Sequence, residues 1–383
     1  MPERVQRMDV AIVGAGIIGL SLGYELLRRG RTVVLLDRDR PAAGATHVAA
    51  GMLAPTSEAD LEESTLIDFA LESLRRYPAW VADLESLTCM DCGLCNEGTI
   101  WVALDRDDRG ELDRLFAMQQ AKGLTSVRLT AEEVRAREPG LTPRVAGGLW
   151  VEGDLQVNPR YLANALVAAI EQLGGRIRVG HAVSDVESAP HGMMVRGEGP
   201  DGAFALRAET VVVAAGAWST TGLRLPFNPP AVRPVKGQTV RLRGERLIDH
   251  VVRTPHVYLV PRTDGELIVG ATMEERGFET AATAGAVRDL LRRAWDVLPA
   301  IDDLEVAGLS VGFRPALRDH LPLIELSSQP GLYLALGHFR NGVLLAPATA
   351  QELAEWIVRG EERPALRPFG LGRWTESAAP IDL

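Results

Sequence analysis

The chain predicts an α/β fold with an antiparallel β-rich region inserted into it. Residues 9–37 spell a strand, a glycine-rich turn, a helix and a second strand. Residues 332–358 give strand and helix again at the far end. Between them, residues 232–272 alternate with the two-residue period of antiparallel strands. A length of 383 residues suits two domains better than one core. The expected division is 1–85, 145–225 and 315–383 for a discontinuous nucleotide-binding domain, with 86–144 and 226–314 forming the β-rich one.

The first unit reads DVAIVGAGIIGLSLGYELLRRGRTVVLLD. Val10–Val13 is a short apolar strand. Gly14, Gly16 and Gly19 follow as G-x-G-x-x-G, with Ala15, Ile17 and Ile18 between them. Gly14 permits the tight turn, Gly16 lets backbone approach a pyrophosphate, and Gly19 lets helix pack on strand. A helix from Ile17 to Arg29 points its positive end at the phosphates, with Arg28 and Arg29 in its last turn and Gly30 at its C-terminus. After the strand Val33–Leu36 comes Asp37, where a ribose diol needs a carboxylate. Strand, helix and acid together point to a dinucleotide.

The composition, 46% hydrophobic and 24% charged, is that of a globular protein. A net charge of −10 argues against nucleic acid or an anionic membrane as the main partner. Val10–Tyr24 is too short and too glycine-rich to span a bilayer. Arg4 and Arg7 before it imitate a signal peptide, but the glycine fingerprint and the following strand oppose that, so a cytoplasmic protein is expected. Cys89, Cys92 and Cys95 form C-x2-C-x2-C. An iron–sulfur site lacks its fourth cysteine, and a zinc site needs a distant His, so reduced thiols in a loop and no metal are expected.

The remaining elements follow in order. Gly44-Ala45-Thr46 and Ala49-Ala50-Gly51-Met52 are small enough for backbone to approach a ligand. Residues 60–86 read as a helix with Leu61, Leu66, Phe69, Leu71, Leu74, Trp80 and Leu84 as its apolar set. Thr99–Leu104 is strand-like and Glu111–Lys122 helical. Thr130 with Glu133 makes a capping box for a short helix ending before Pro139. Asn158 caps, and Pro159 opens, a helix to about Leu173. Strands are expected at Arg176–Val179, Ala182–Glu187 and Thr210–Ala214, the last apolar throughout as in a buried parallel sheet. Gln238–Arg243 alternates, and Val257–Arg262 and Glu266–Ala271 pair across Thr263-Asp264-Gly265. Gly285–Leu298 is a helix. Leu332–Leu336 is a strand, and a helix follows to Val358.

The blocks GFRPALRDHLPLI and GHFRNGVLLAP closely resemble the C-terminal blocks of the D-amino acid oxidase superfamily, the second most like its glycine oxidase branch. The resemblance also covers the N-terminal fingerprint, GAT…AAGML, VVVAAGAWS, RPVKGQ, HVYLVPR and GATME, in order. It implies a glutathione-reductase-like FAD domain with a large antiparallel sheet over the flavin. It implies an enzyme that oxidises the Cα–N bond of glycine or an N-substituted glycine such as sarcosine, by hydride transfer to flavin N5. The imine product hydrolyses to glyoxylate and an amine or ammonia, and O2 is reduced to H2O2. In several bacteria of this branch the imine feeds thiamin thiazole synthesis. Homo-oligomers are frequent among such proteins.

Carried onto this sequence, the resemblance assigns Arg314 to the substrate carboxylate, since an Arg fork binds a carboxylate with two parallel hydrogen bonds. Tyr258 supplies a hydroxyl to the same group, Met273 lines the small pocket, His256 its edge, and Arg340 the amine end or the mouth. Arg314, Tyr258 and Arg340 are thus the expected catalytic set. Cofactor contacts are expected from the fingerprint, Asp37, Arg38, Ala45, Thr46, Ala49–Met52, Val183, Ala215, Gly216, Trp218, Arg314, and His338, Phe339, Arg340, Asn341, Gly342 and Val343. The chemistry then needs orientation and electrostatics rather than an acid–base triad.

Some residues depart from the family. His320 and Glu325 stand where it usually has glycine. Relatives with covalent FAD use a His just before Ala-Ala-Gly, where this chain has Val48, with His47 one residue earlier. Others use a late Cys, and here the last is Cys95, so FAD is expected to be non-covalent. Other classes explain less. Gly308-Leu309-Ser310-Val311-Gly312 fits a hydrolase G-x-S-x-G, but Pro315 disfavours the helix such an elbow requires. A nicotinamide dehydrogenase shares residues 9–37 but not the C-terminal blocks. A dehydrogenase subunit passing electrons to a partner, a D-amino acid oxidase, and an oxidase removing a carboxymethyl group from a bulky secondary amine remain as alternatives.

Overall fold

The computed structural model describes residues 7–59 and 64–375. Leu61 and Arg4 lie outside the described residues, as do the ends of the outer domain segments.

Two large sheets organise the chain. The first has a parallel centre, in the order Leu332–Leu336, Gly202–Val213, Arg7–Val13, Val33–Leu36, Arg176–Arg178. Leu323–Leu326 adds an antiparallel edge beside Leu332–Leu336. The strands Val33–Leu36 and Leu332–Leu336 are buried at every residue, as a sheet covered on both faces requires. On one face lie the helices Ile17–Arg28, Ser64–Thr88, Pro159–Gln172 and Gly342–Arg359, closing a core of Ile12, Leu20, Leu35, Trp80, Leu166 and Leu345. Gly202–Val213 is longer than the expected 210–214 because its first half pairs with Gly192–Gly199, and that strand with Ala182–Ala189. Gly192–Gly199, rich in Gly and polar residues, lacked a strand signature.

The second sheet runs Glu305–Ala316, Arg233–Arg243, Glu266–Gly270, Tyr258–Pro261, Val251–Arg253, Thr99–Ala103, Gly147–Val151, Val127–Leu129. It is antiparallel except where Val251–Arg253 meets Thr99–Ala103. Gly147–Val151 pairs with Thr99–Ala103, although residues from 145 on were expected in the nucleotide-binding domain. Its backbone hydrogen bonds tie it to the second sheet, and the first sheet regains the chain only at the helix Pro159–Gln172. Ser310 lies within the strand Glu305–Ala316, so no strand-to-helix elbow forms there.

Local signals explain most boundaries. The capping box at Thr130 and Glu133 is formed on both sides, and Asn158 caps the helix that Pro159 opens. The helix expected at Glu111 starts earlier, at Arg106, because the Asp105 side chain accepts from the Asp107 and Asp108 N–H groups.

Candidate active site

The glycine fingerprint builds the first part of a cavity. Gly14 has φ +109°, and a Cβ there would stand 2.5 Å from the Ala214 carbonyl oxygen. At Gly16 the nearest atom to an added Cβ is the Thr46 Oγ1 at 3.7 Å, so this face is open. That Oγ1 accepts from the Ile17 N–H at 3.0 Å, anchoring the Ala45–Val48 turn against the start of the helix. Asp37 accepts from the Ala15 N–H at 2.7 Å and the Asp39 N–H at 3.0 Å. Burial pushes its carboxyl above the ordinary value, against those two donors.

The cavity that starts here is continuous and holds about 720 Å3. Asp37, Arg38, Val183, Ala215, Gly216 and Trp218 line one end, where the Arg38 guanidinium lies 3.9 Å over the Trp218 ring. Gly14, Gly16, Ile17, Ile18, Ala45, Thr46 and Ala49 to Met52 line the middle. Towards the other end stand His338, Phe339, Arg340, Gly342 and Val343, with Arg314, Tyr258, Met273 and His256. Three expected contacts are not on its wall. Ala15 is buried behind the loop and acts through its N–H on Asp37. An added Cβ at Gly19 would stand 2.0 Å from the Gly14 carbonyl, so Gly19 packs helix on turn. Asn341 is buried at the N-cap of Gly342–Arg359.

Two glycines shape the far end. Arg314 reaches from its strand across Gly237 of the neighbouring one, where a Cβ would be 2.4 Å from its Nη1. That Nη1 donates to the Thr272 carbonyl at 3.1 Å. Tyr258 lies across Gly270, its partner in register, where a Cβ would be 2.3 Å from the ring. Burial pushes the Tyr258 phenol up, outweighing the nearby Arg314 cation, so the hydroxyl stays a donor at neutral pH.

Sequence reasoning missed Glu58 and Arg253, which also line the cavity and form an ion pair. Burial alone would push the Glu58 carboxyl up. Arg253, Arg340 and Arg314 outweigh it and hold the carboxyl below its ordinary range. No local motif marks this pair, because the partners come from distant parts of the chain. Met273, 64% exposed, and His256 stand at the rim. His256 lies 3.8 Å from Asp108. His338 is buried with its Nε2 3.2 Å from the Thr349 hydroxyl, and burial lowers its pKa to about 3.

The departures from the family find places too. His320 adopts φ +59° and stacks on Phe339, ring centroids 4.4 Å apart. The Glu325 carboxylate accepts from the Leu371 N–H. Val48, not His47, faces the cavity. The cysteines are free thiols; burial pushes Cys92 up to about 12, and no His, Cys, Asp or Glu group arranged for a metal occurs among the described residues.

These walls fit a dinucleotide carrying a flat ring. The Gly16 face of the fingerprint is left open to the cavity, and the 18-residue helix Gly342–Arg359 begins at its far end with Gly342 and Val343 on the wall. The comparisons agree. Residues 9–356 match the family described as FAD dependent oxidoreductase, and the chain belongs to that family. FAD is its cofactor. The chain is 36% identical to the glycine oxidase of Geobacillus kaustophilus over 96% of itself and 97% of that protein. It is also 36% identical, over 97% of itself, to the bifunctional protein ThiO/ThiG of Trichormus variabilis, but spans only 56% of that chain's length. The crystal structure of the Geobacillus glycine oxidase superposes with a TM-score of 0.87 at 34% identity, over 95% of this chain and 98% of that one. That of iminodiacetate oxidase from Chelativorans sp. BNC1 gives 0.84 at 27%, over 94% and 98%.

Proposed function

We propose that this protein is an FAD-dependent amine oxidase of the glycine oxidase type. It oxidises the Cα–N bond of glycine or an N-substituted glycine and yields glyoxylate, an amine or ammonia, and H2O2. The observation that carries this is the pairing of Arg314 and Tyr258, each laid across a glycine, at the ring end of the cavity. Bound FAD supplies the two-electron acceptor, and O2 restores it. The chain's own residues bind and orient. Arg314 holds the carboxylate by its fork and Tyr258 adds one donor, which leaves Cα little freedom. Arg340 and the start of Gly342–Arg359 place positive potential at the ring end, where negative charge accumulates during reduction.

The rim favours a substituted nitrogen as an accepted variant. Met273 and His256 are exposed there, so a substituent on the amine has an outlet. The three free thiols and the absence, among the described residues, of any helix long and apolar enough to cross a membrane suit a cytoplasmic enzyme.

Peroxide release by the purified yellow protein, with glycine, sarcosine, N-ethylglycine and D-alanine side by side, tests the reading. Turnover of glycine-type substrates, with Arg314→Lys raising KM about a hundredfold, is expected. Flavin reduction without peroxide would make it a dehydrogenase. No reduction by any of the four would remove the substrate assignment.

A further inference from the structure

We propose that Lys236, which is not on the cavity wall, is a positioning residue for the substrate carboxylate and the mouth of the site. It fastens the strap 272–283, whose Thr272 carbonyl orients Arg314 and whose Met273 stands at the rim.

Beyond Glu266–Gly270 the chain keeps running beside Arg233–Arg243. The Thr272 N–H donates to the Gln238 carbonyl at 3.2 Å, and Lys236 and Glu274 exchange two backbone hydrogen bonds of 2.9 Å. Alternation along the strand turns Gly237 and Thr239 to the cavity and Lys236 and Gln238 to the other face. There Lys236 is fully buried. Its Nζ donates to the Ala281 carbonyl at 2.8 Å and lies 3.5 Å from the Glu279 carboxylate. Gln238 repeats the arrangement. Its Nε2 donates to Glu274 at 2.7 Å, and its Oε1 accepts from the Thr283 N–H at 2.9 Å. Thr283 in turn caps the helix Ala284–Val297. In mid-strap, Phe278 stacks on Trp218 at 5.1 Å and meets Phe313 edge-on at 5.3 Å.

A buried ammonium is costly unless its hydrogen bonds are met, and an aliphatic side chain of similar length would fill the same space at lower cost. What the ammonium adds is a fixed point for a segment that has no regular secondary structure. The effect reaches the site by two routes. The Thr272 carbonyl engages one N–H of Arg314, so the strap sets the plane in which the remaining donors meet a carboxylate. Met273 follows Thr272 directly, so the same fastening sets the width left for a substituent on nitrogen.

The test is Lys236→Met in the holoenzyme, with acetate as carboxylate probe read by the flavin absorbance. Acetate Kd and glycine KM are expected to rise about tenfold while the limiting rate of flavin reduction stays within about twofold. The kcat/KM of N-ethylglycine relative to glycine is expected to rise, and Lys236→Arg to restore both readouts. A merely structural role would lower Tm and depress all substrates equally; unchanged acetate affinity and an unchanged substrate ratio overturn the proposal. Should Lys236→Met not yield holoenzyme, Glu279→Gln removes the exposed partner, and about a twofold shift in the same direction is expected; no shift overturns it. The inference rests on Arg314 as carboxylate ligand, so Arg314→Lys is measured alongside. If that variant leaves acetate affinity unchanged, the reading of the site fails. If it weakens binding and Lys236→Met does not, only the clamp fails.

Discussion

Gly237→Ala separates binding from stability. The added Cβ would stand 2.4 Å from Arg314 Nη1, 2.8 Å from its Cζ and 2.9 Å from its Nη2. All three are the far end of a flexible side chain, so the guanidinium moves and the sheet does not. Moving it breaks the 3.1 Å bond to the Thr272 carbonyl and turns the fork away from the carboxylate. Hydrogen bonds to charged groups contribute about 1.5–3 kcal/mol each, so losing one of the two costs at least that, on the order of 10- to 150-fold in kcat/KM. Stability changes less than binding, because the roughly 0.5–1 kcal/mol gained by Ala over Gly inside a strand offsets part of the lost Thr272 bond. The assay combines peroxide release over a glycine series, acetate titration, FAD content and a thermal melt. The expected result is weak substrate and acetate binding in a folded holoenzyme that retains its FAD and a cooperative thermal melt. A KM and an acetate Kd within about twofold of the parent would refute the reasoning, since Arg314 could then not hold the carboxylate from this position.

On the proposed role of Tyr258 as a donor to the substrate carboxylate, Tyr258→Phe is expected to raise glycine KM about tenfold with kcat nearly unchanged, which steady-state kinetics would read. In Gly14→Ala the Cβ meets backbone, the Ala214 carbonyl, which cannot yield, so a folded but colourless protein is expected on purification. Burial, with Glu58 nearby, lifts the buried Asp154 carboxyl to about 7, so the native chain holds a proton that the unfolded chain releases near pH 4. That contribution is full below about pH 4 and is lost as pH rises to 7, about 4 kcal/mol in all, so thermal melts should show Asp154→Asn gaining on the parent across this window; a pH-independent difference would refute the assignment.

What the sequence made legible follows the range of each interaction. The fingerprint could be read because its sterics are local: Gly14, Gly19 and the helix cap lie within one turn of each other. The caps at Thr130 and Asn158 could be read for the same reason. Arg314 and Tyr258 entered only through the family resemblance, since an Arg and a Tyr on strands have no distinctive spacing. Their glycine beds were invisible, because Gly237 and Gly270 are required by side chains on neighbouring strands. Glu58 with Arg253, and Lys236 with Ala281, were invisible likewise, being set by tertiary pairing. A boundary near residue 145 is not legible from local signals, because Gly147–Val151 takes its partner from Thr99–Ala103.

The electrostatics of the site bear on how the reaction depends on pH. Tyr258 is pushed up by burial, Glu58 is held low by its arginines, and His338 is kept neutral by burial. Each therefore keeps one protonation state across the neutral range, and none is poised to take a proton near pH 7. With these three groups fixed, the requirement for a neutral amine is expected to set the pH dependence through the substrate. The rising limb of log kcat/KM should accordingly shift with the amine pKa when glycine is exchanged for N-substituted glycines of lower basicity. A limb that stays at one pH for every substrate would instead reveal a titrating group of the protein, and the site would then be doing acid–base work as well as holding its substrate in place.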